Sequence, residues 1–303
     1  MKINFKNKRA LIRVDFNVPL DAAYNVTDNS RIMAAVPTIK KVLSDGGSVV
    51  LMSHLGRPKD GPTEKYSLKH LLPALREQFG IEIKFADDCI SETSFELSKH
   101  LKPGEILLLE NLRFYKQEEK GDVNFAEKLA KHGDIYVNDA FGTAHRAHAS
   151  TAIIAQFFPQ NKTFGYCIEN ELKSINKVLH DGKKPFTAIM GGAKVSDKII
   201  ILQQLINKAD NIIIGGGMAF TFVKALGGDI GNSLVEDDRL QTALDILADA
   251  KQKNVNIYIP VDANIADSFS NEANKKLVDV KNIPNGWMGL DIGEASISLF
   301  EQE

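Results

Sequence analysis

Short apolar runs alternate with helix-period stretches along the whole chain. Strand-like runs fall at Ala10–Val14, Ser48–Met52, Ile81–Phe85, Glu105–Leu109, Asp134–Val137, Pro185–Met190, Asn211–Ile214, Asn256–Ile259 and Met288–Ile292. Between them, Leu68, Leu71, Leu72, Leu75 and Phe79 keep helical spacing, as do Ile199, Leu202, Leu205 and Ile206. Strand runs that are apolar on both faces and separated by helices predict an α/β fold with largely parallel sheets. A charged helical segment, Glu169–His180, ends at Asp181-Gly182-Lys183-Lys184 before a new strand run. The chain is therefore divided into an N-terminal domain at 1–168, a joining helix at 169–184 and a second α/β domain at 185–303.

The unusual residues recur at one structural place. SHLGRP follows the run SVVLM, ENLRF follows EILLL, and NDAFGTAHRAHAS follows DIYV. In the second half, GGAKVSDK follows PFTAIM, GGGMAF follows NIII, and PVDANIAD follows NIYI. Open α/β sheets bind ligands outside the carboxyl ends of their strands, so the pattern predicts a ligand-binding edge on each domain.

Composition narrows the class. At 303 residues the chain is long enough for about two domains. Hydrophobic residues at 44% and charged residues at 25% are ordinary globular usage. A net charge of −2 argues against a general nucleic-acid or anionic-membrane binder. The N-terminus MKINFKNKRA lacks an apolar signal core, and no apolar run approaches the roughly 20 residues of a membrane span. Cys89 and Cys167 supply neither a disulfide framework nor a metal knuckle. These features predict a soluble, cytoplasmic protein.

Arginine placement adds chemistry. Only eight of the 37 basic residues are arginine, and seven of those lie within the first 146 positions. The guanidinium fork suits bidentate recognition of carboxylate or phosphate. In RVDFNVP, strand alternation puts Arg13, Asp15 and Asn17 on one face. Taken alone, that segment is better explained as an edge strand running into Pro19, with Asp15 paired to Arg13. His54 and Arg57 flank Gly56, Arg113 sits in ENLRF, and His145, Arg146 and His148 crowd together. Arg31 begins a helical pattern of Ile32, Val36, Ile39 and Leu43, with Pro37 expected to bend it. Each of these alone is as well explained as a surface or capping residue. Jointly they favour an anion site, because such a cluster is costly without an anion, and a ligand bearing both phosphate and carboxylate suits it.

In GGAKVSDKI, Lys194 and Lys198 are four apart and are expected to share a face at a helix N-terminus opened by Ser196. The segment is not a P-loop, and GGGMAF fails the dinucleotide fingerprint at Phe220, so a nicotinamide-dependent oxidoreductase has little support. Tight strand-to-helix turns explain both glycine segments equally well on their own. Zinc-protease, EF-hand and esterase signatures are missing from the sequence.

RVDFNVP, SHLGRP, LLLENLRF, NDAFGTAHRAHAS, GGAKVSDKI, IIIGGGMAFTF and GWMGLDIG, in that order, closely resemble the phosphoglycerate kinase family from about Ala10 to Glu294. The resemblance implies two parallel-sheet, Rossmann-like domains facing a cleft and joined by a hinge helix. It implies reversible phosphoryl transfer in glycolysis between 1,3-bisphosphoglycerate with ADP and 3-phosphoglycerate with ATP, by a monomer. Asp15, Phe16, Asn17, His54, Leu55, Gly56 and Arg57 would contact 3-phosphoglycerate, with Arg31, Arg113 and Arg146 on its anionic groups. Arg31 and Lys194 would stabilise the transferring phosphoryl, and Lys198 would hold nucleotide phosphates. Gly192, Ala193, Gly215, Gly216, Gly289 and Leu290 would line the adenosine pocket for Mg-ATP or Mg-ADP. The family's later NGPxGxFE, GGGD[ST] and STGGGAS segments do not occur in these 303 residues. The second domain is accordingly expected to be incomplete, with an exposed sheet edge and no assignable metal ligand. The competing expectation is a non-catalytic fragment that binds only 3-phosphoglycerate.

Overall fold

The computed structural model describes residues 1–59, 61–180 and 182–302, with Leu179 and His180 described by backbone alone. Asp181, in the segment expected to join the domains, lies outside the described residues. The chain divides into two compact units, Met1–Asn176 and Lys177–Glu303.

In the first unit, strands β1 (Arg9–Arg13), β2 (Ser48–Met52), β3 (Ile83–Ala86), β4 (Ile106–Leu109), β5 (Ile135–Asn138) and β6 (Lys162–Phe164) form one sheet. Their order is β3-β4-β2-β1-β5-β6. Every pairing is parallel. Helices α1 (Ser30–Ser44), α2 (Leu72–Phe79), α3 (Glu92–Lys99), α4 (Lys116–Lys120), α5 (Val123–Ala130) and α6 (Tyr166–His180) supply the covering layers and the exit. The period of two divides the strand residues between two cores. Ala10, Ile12, Val49 and Leu51 pack with Ile32, Ile39 and Leu75 of α1 and α2. Leu11, Val50, Leu107 and Tyr136 pack on the opposite face with Phe125 and Leu129 of α5.

The chain leaves β1 toward β2 and returns from β4 to β5, on the far side of β1. The topological switch therefore falls between β1 and β5, the place where an open α/β sheet forms its crevice. β1 is central, not the edge strand that its Pro19 turn suggested. Helix α1 runs through Pro37 without interruption, burying Ile32, Val36, Ile39 and Val42.

Helix α6 starts on two side-chain acceptors: Thr38 Oγ1 takes the Tyr166 N–H at 2.9 Å and Asp139 Oδ1 takes the Cys167 N–H at 2.8 Å. Among the described residues Asp139 Oδ2 is buried without a hydrogen-bond partner, and burial pushes this carboxyl up to about 6. A raised carboxyl favours the protonated folded state, so its contribution is greatest below the unfolded value near 3.8 and is lost as pH rises to about 6. Urea melts from pH 4 to 7 should show stability falling by about 2 kcal/mol from this group. Asp139→Asn should remove that slope, and an unchanged slope in the variant would exclude Asp139 as its source.

The second unit holds a parallel sheet in the order β10 (Asn256–Tyr258), β8 (Asn211–Gly215), β7 (Thr187–Gly191). Its helices are α7 (Ile199–Leu205), α8 (Met218–Ala225), α9 (Leu240–Gln252) and α10 (Glu294–Phe300). Met288–Ile292, expected as a strand among largely parallel sheets, is instead β14 of an antiparallel sheet in the order β12 (Lys275–Asp279), β11 (Asp262–Ala266), β14. There β11, within the segment expected to be a strand-end loop, pairs also with β12. β9 (Asp229–Ile230) and β13 (Asn282–Ile283) form a short parallel pair. With three strands, the parallel sheet has β7 and β10 at its edges, and Ile189 on β7 is 77% exposed.

Candidate active site

Four strand ends of the first unit carry the predicted residues. After β1, Asp15 accepts an ion pair from Arg31 of α1 at 2.6 Å; Arg13 is not its partner. Phe16 and Leu55 are buried in the core, so their side chains set the loop shapes from beneath. Asn17 Oδ1 accepts the Gly56 N–H at 2.8 Å, tying the loop after β1 to the loop after β2. Gly56 has φ +60, and a Cβ there would run into the Tyr66 ring, so both the conformation and the space demand glycine. Arg57 is exposed and makes no ion pair among the described residues.

After β4, Asn111 locks the next loop, donating to the backbone oxygens of Leu55 and Tyr66 at 2.8 and 2.9 Å and accepting from Arg113 N at 2.9 Å. Glu110 accepts from Ser67 and Leu68 at 2.6 and 2.8 Å. Arg113 keeps only 8% of its side chain exposed and lies 3.4 Å from Glu119. After β5, Gly142 faces Asp15, while Arg146 is exposed with His145 as its neighbour at 3.4 Å.

Electrostatics shows which groups face one another. Burial lowers the His54 imidazole to about 2, helped by the charges of Arg13, Arg113 and Arg31. Burial also lowers His148, with Arg113 and Arg146 adding to the effect. Arg31, Arg113 and Arg146 thus set a positive field at the switch point, within which the His54 and His148 imidazoles are held uncharged. Such a concentration of fixed donors suits a small multiply charged anion.

In the second unit the glycine loops after β7 and β8 abut. Gly216 has φ +67, and a Cβ there would sit 2.9 Å from the Gly192 oxygen, which accepts the Met218 N–H at 2.8 Å. Gly192 itself lies under the Lys198 side chain. Lys194 and Lys198 both precede α7, so they do not share a helix face; Lys198 is the residue before its first turn. Ser196 does not open that helix either, because its N–H and hydroxyl are held by Glu236 at 2.9 and 2.6 Å. Lys194 and Ala193 are exposed at the loop surface, and Gly215 ends β8. Gly216, Ala219, Phe220, Pro260 and Leu290 line a pocket beside these loops. Gly289 borders it from β14, where any Cβ would collide with the Phe220 ring. Among the described residues no three His, Cys, Asp or Glu side chains converge as a cation site.

A family model described as phosphoglycerate kinase matches residues 1–303. The chain belongs to the phosphoglycerate kinase family. It is 49% identical to the phosphoglycerate kinase of Porphyromonas gingivalis, covering 99% of this chain and 78% of that protein. It is 51% identical to a cytosolic phosphoglycerate kinase of Arabidopsis thaliana, covering 99% and 74% of the two chains. The solved phosphoglycerate kinase of Coxiella burnetii superposes with a TM-score of 0.80 at 35% identity, over 99% of this chain and 75% of that one. Phosphoglycerate kinases as a family use a nucleotide substrate, ordinarily with Mg²⁺.

The residues that support the site carry little sequence signal. Ser53 receives the Phe16 N–H at 2.8 Å, and Asn111, Glu118 and Ser150 are fully or almost fully buried. Ser53 and Asn111 signalled themselves only by polarity at a strand end, which exposed loop residues share, and Glu118 and Ser150 lie away from any strand end.

Proposed function

We propose that this chain catalyses reversible phosphoryl transfer between 1,3-bisphosphoglycerate with ADP and 3-phosphoglycerate with ATP, as a cytosolic monomer in glycolysis. The observation that carries the reading is the positive field of Arg31, Arg113 and Arg146 around the imidazoles of His54 and His148 at the β1/β5 switch point. Asp15, Asn17, Gly56 and Arg57 frame the same edge and complete the 3-phosphoglycerate site. Phe16 and Leu55 act on it through loop shape. We take 1–168 as the acceptor domain, 169–184 as the joining helix and 185–303 as the nucleotide domain.

In the second domain, Gly192, Ala193, Gly215, Gly216, Gly289 and Leu290 form the nucleotide's bed, and Lys194 and Lys198 meet its phosphates. Phosphoryl transfer depends on positioning and charge neutralisation more than on covalent help. The acceptor is a carboxylate with a pKa of about 3.5, already ionised near neutral pH, so no general base is needed. That accounts for a site made of Arg, Lys and Gly. Mg²⁺ would be carried by the nucleotide phosphates, where it would neutralise their charge.

Titration calorimetry of the 303-residue chain with 3-phosphoglycerate and with Mg-ATP, beside a coupled assay, tests the proposal. Turnover with binding of both ligands is expected. Binding of 3-phosphoglycerate alone, without turnover, would replace it with the fragment reading.

A further inference from the structure

A buried hydrogen-bond chain beneath the anion site has no counterpart in the residues assigned above. Arg13, the last residue of β1, is 1% exposed. Its Nε donates to Ser150 Oγ at 2.9 Å, its Nη1 donates to the Val14 oxygen, and its Nη2 lies 3.2 Å from His54 Nδ1. Ser150 in turn donates its hydroxyl to Glu118 Oε1 at 2.5 Å and its N–H to Oε2 at 2.9 Å. Glu118 is also 1% exposed, and its backbone oxygen takes the Ala149 N–H at 2.9 Å.

Arg13 fixes the direction of its own hydrogen bonds. A guanidinium has donors and no acceptor and stays charged at any ordinary pH. Ser150 Oγ therefore accepts from Arg13; burial pushes the Glu118 carboxyl up while Arg13 and Ser150 oppose that shift, and with Glu118 ionised the Ser150 proton goes to it. By the same rule His54 Nδ1 must accept, so the ring's single proton sits on Nε2. Among the described residues Nε2 has no hydrogen-bond partner, and it is not among the fully buried unsatisfied atoms, so it keeps access to solvent within the field of Arg31 and Arg113.

We propose that Arg13, braced by Ser150 and Glu118, is a positioning residue that fixes His54 as a neutral Nε2–H donor aimed at the bound phosphoglycerate. The same brace anchors the segment carrying Arg146 and His148 to α4. The charged and titratable groups around His54 are Arg13, Arg31, Arg113 and His148, all of which oppose a second proton on its ring. The site thus keeps an uncharged donor among its arginines over the neutral pH range. The inference rests on the proposed 3-phosphoglycerate site for its functional half only.

Long-range ¹H–¹⁵N spectra of the full chain labelled at histidine test it without any substitution. From pH 5.5 to 8, His54 should show a protonated Nε2, an unprotonated Nδ1 and no titration. A protonated Nδ1, or an imidazolium at pH 6, would overturn the proposal. Arg13→Lys keeps the buried charge opposite Glu118 but cannot reach Ser150, Val14 and His54 together. In that variant the tautomers should mix and 3-phosphoglycerate affinity should fall about tenfold, with Mg-ATP affinity unchanged. A variant with lowered Tm but the tautomer and affinity of the parent would make Arg13 structural and sink the idea. If the parent chain binds no 3-phosphoglycerate yet shows the Nε2–H tautomer, the substrate assignment fails while the positioning geometry stands.

Discussion

Replacing Arg31 with alanine is expected to lower phosphoryl transfer by about 10³-fold or more, the scale seen when an arginine that neutralises transferring phosphate is removed. Arg31 is the second residue of α1, a helix whose Ile32, Val36 and Ile39 are anchored in the core, so its backbone position is rigid. Its guanidinium is half exposed and reaches over the loop after β1 to Asp15. An exposed ion pair of this kind contributes little net stability, so releasing the fork to an anionic ligand costs little. Asp15 serves as a rest that keeps the fork facing the crevice, and Asp15→Asn should be several-fold milder than Arg31→Ala. Coupled assays of parent and variant, with calorimetry for Mg-ATP, check the expectation. Mg-ATP affinity should hold within about twofold, because the residues assigned to the nucleotide belong to the other unit. Turnover near the parent's would remove Arg31 from the transfer step.

Much of this architecture could be read in the chain because the first unit is built by rules that act locally. A strand buried on both faces needs apolar residues at every position, and Ser48–Met52 is buried throughout, matching the predicted run residue for residue. The places where reading failed share another cause. β12, Lys-Lys-Leu-Val-Asp, is mostly exposed and carries charge at three of its five positions, so no apolar run announces it. β11 contains Asp262, whose carboxylate accepts the N–H groups of Gly293, Ala295 and Ser296 at the start of α10. A polar residue buried by a partner some thirty positions away gives no local signal. Lys194 and Lys198 failed for a related reason: their spacing is helical, but Val195 is buried and Ser196 is captured by Glu236, which holds the segment in a turn until α7 begins. The candidate site was legible as a set of strand-end motifs. Its partnerships, such as Asp15 with Arg31, depend on the order of strands, which the motifs do not encode.

The largest stability effect is expected where those unencoded partnerships are most buried. Arg13→Met removes the buried charge that faces Glu118 across Ser150, and leaving one of two opposed buried charges uncompensated costs about 3–5 kcal/mol. For a unit of this size that corresponds to a fall in Tm of roughly 10 °C. Glu118→Leu should cost a similar amount by stranding the Arg13 guanidinium and the two donors of Ser150. The double substitution removes both charges, and apolar replacements of similar volume often restore most of the stability. The double variant should therefore lie well above the sum of the single losses, with a coupling of about 2–3 kcal/mol. Urea unfolding of the full chain measures all four corners of the cycle, and amide exchange in β1 and β5 localises the loss to the first unit. Additive losses would show that Arg13 and Glu118 act separately, each through its own contacts. A recovered fold with weakened 3-phosphoglycerate binding would instead show why a costly charge pair occupies the core: apolar residues can fill the space beneath the site, but they cannot direct a proton onto His54 Nε2.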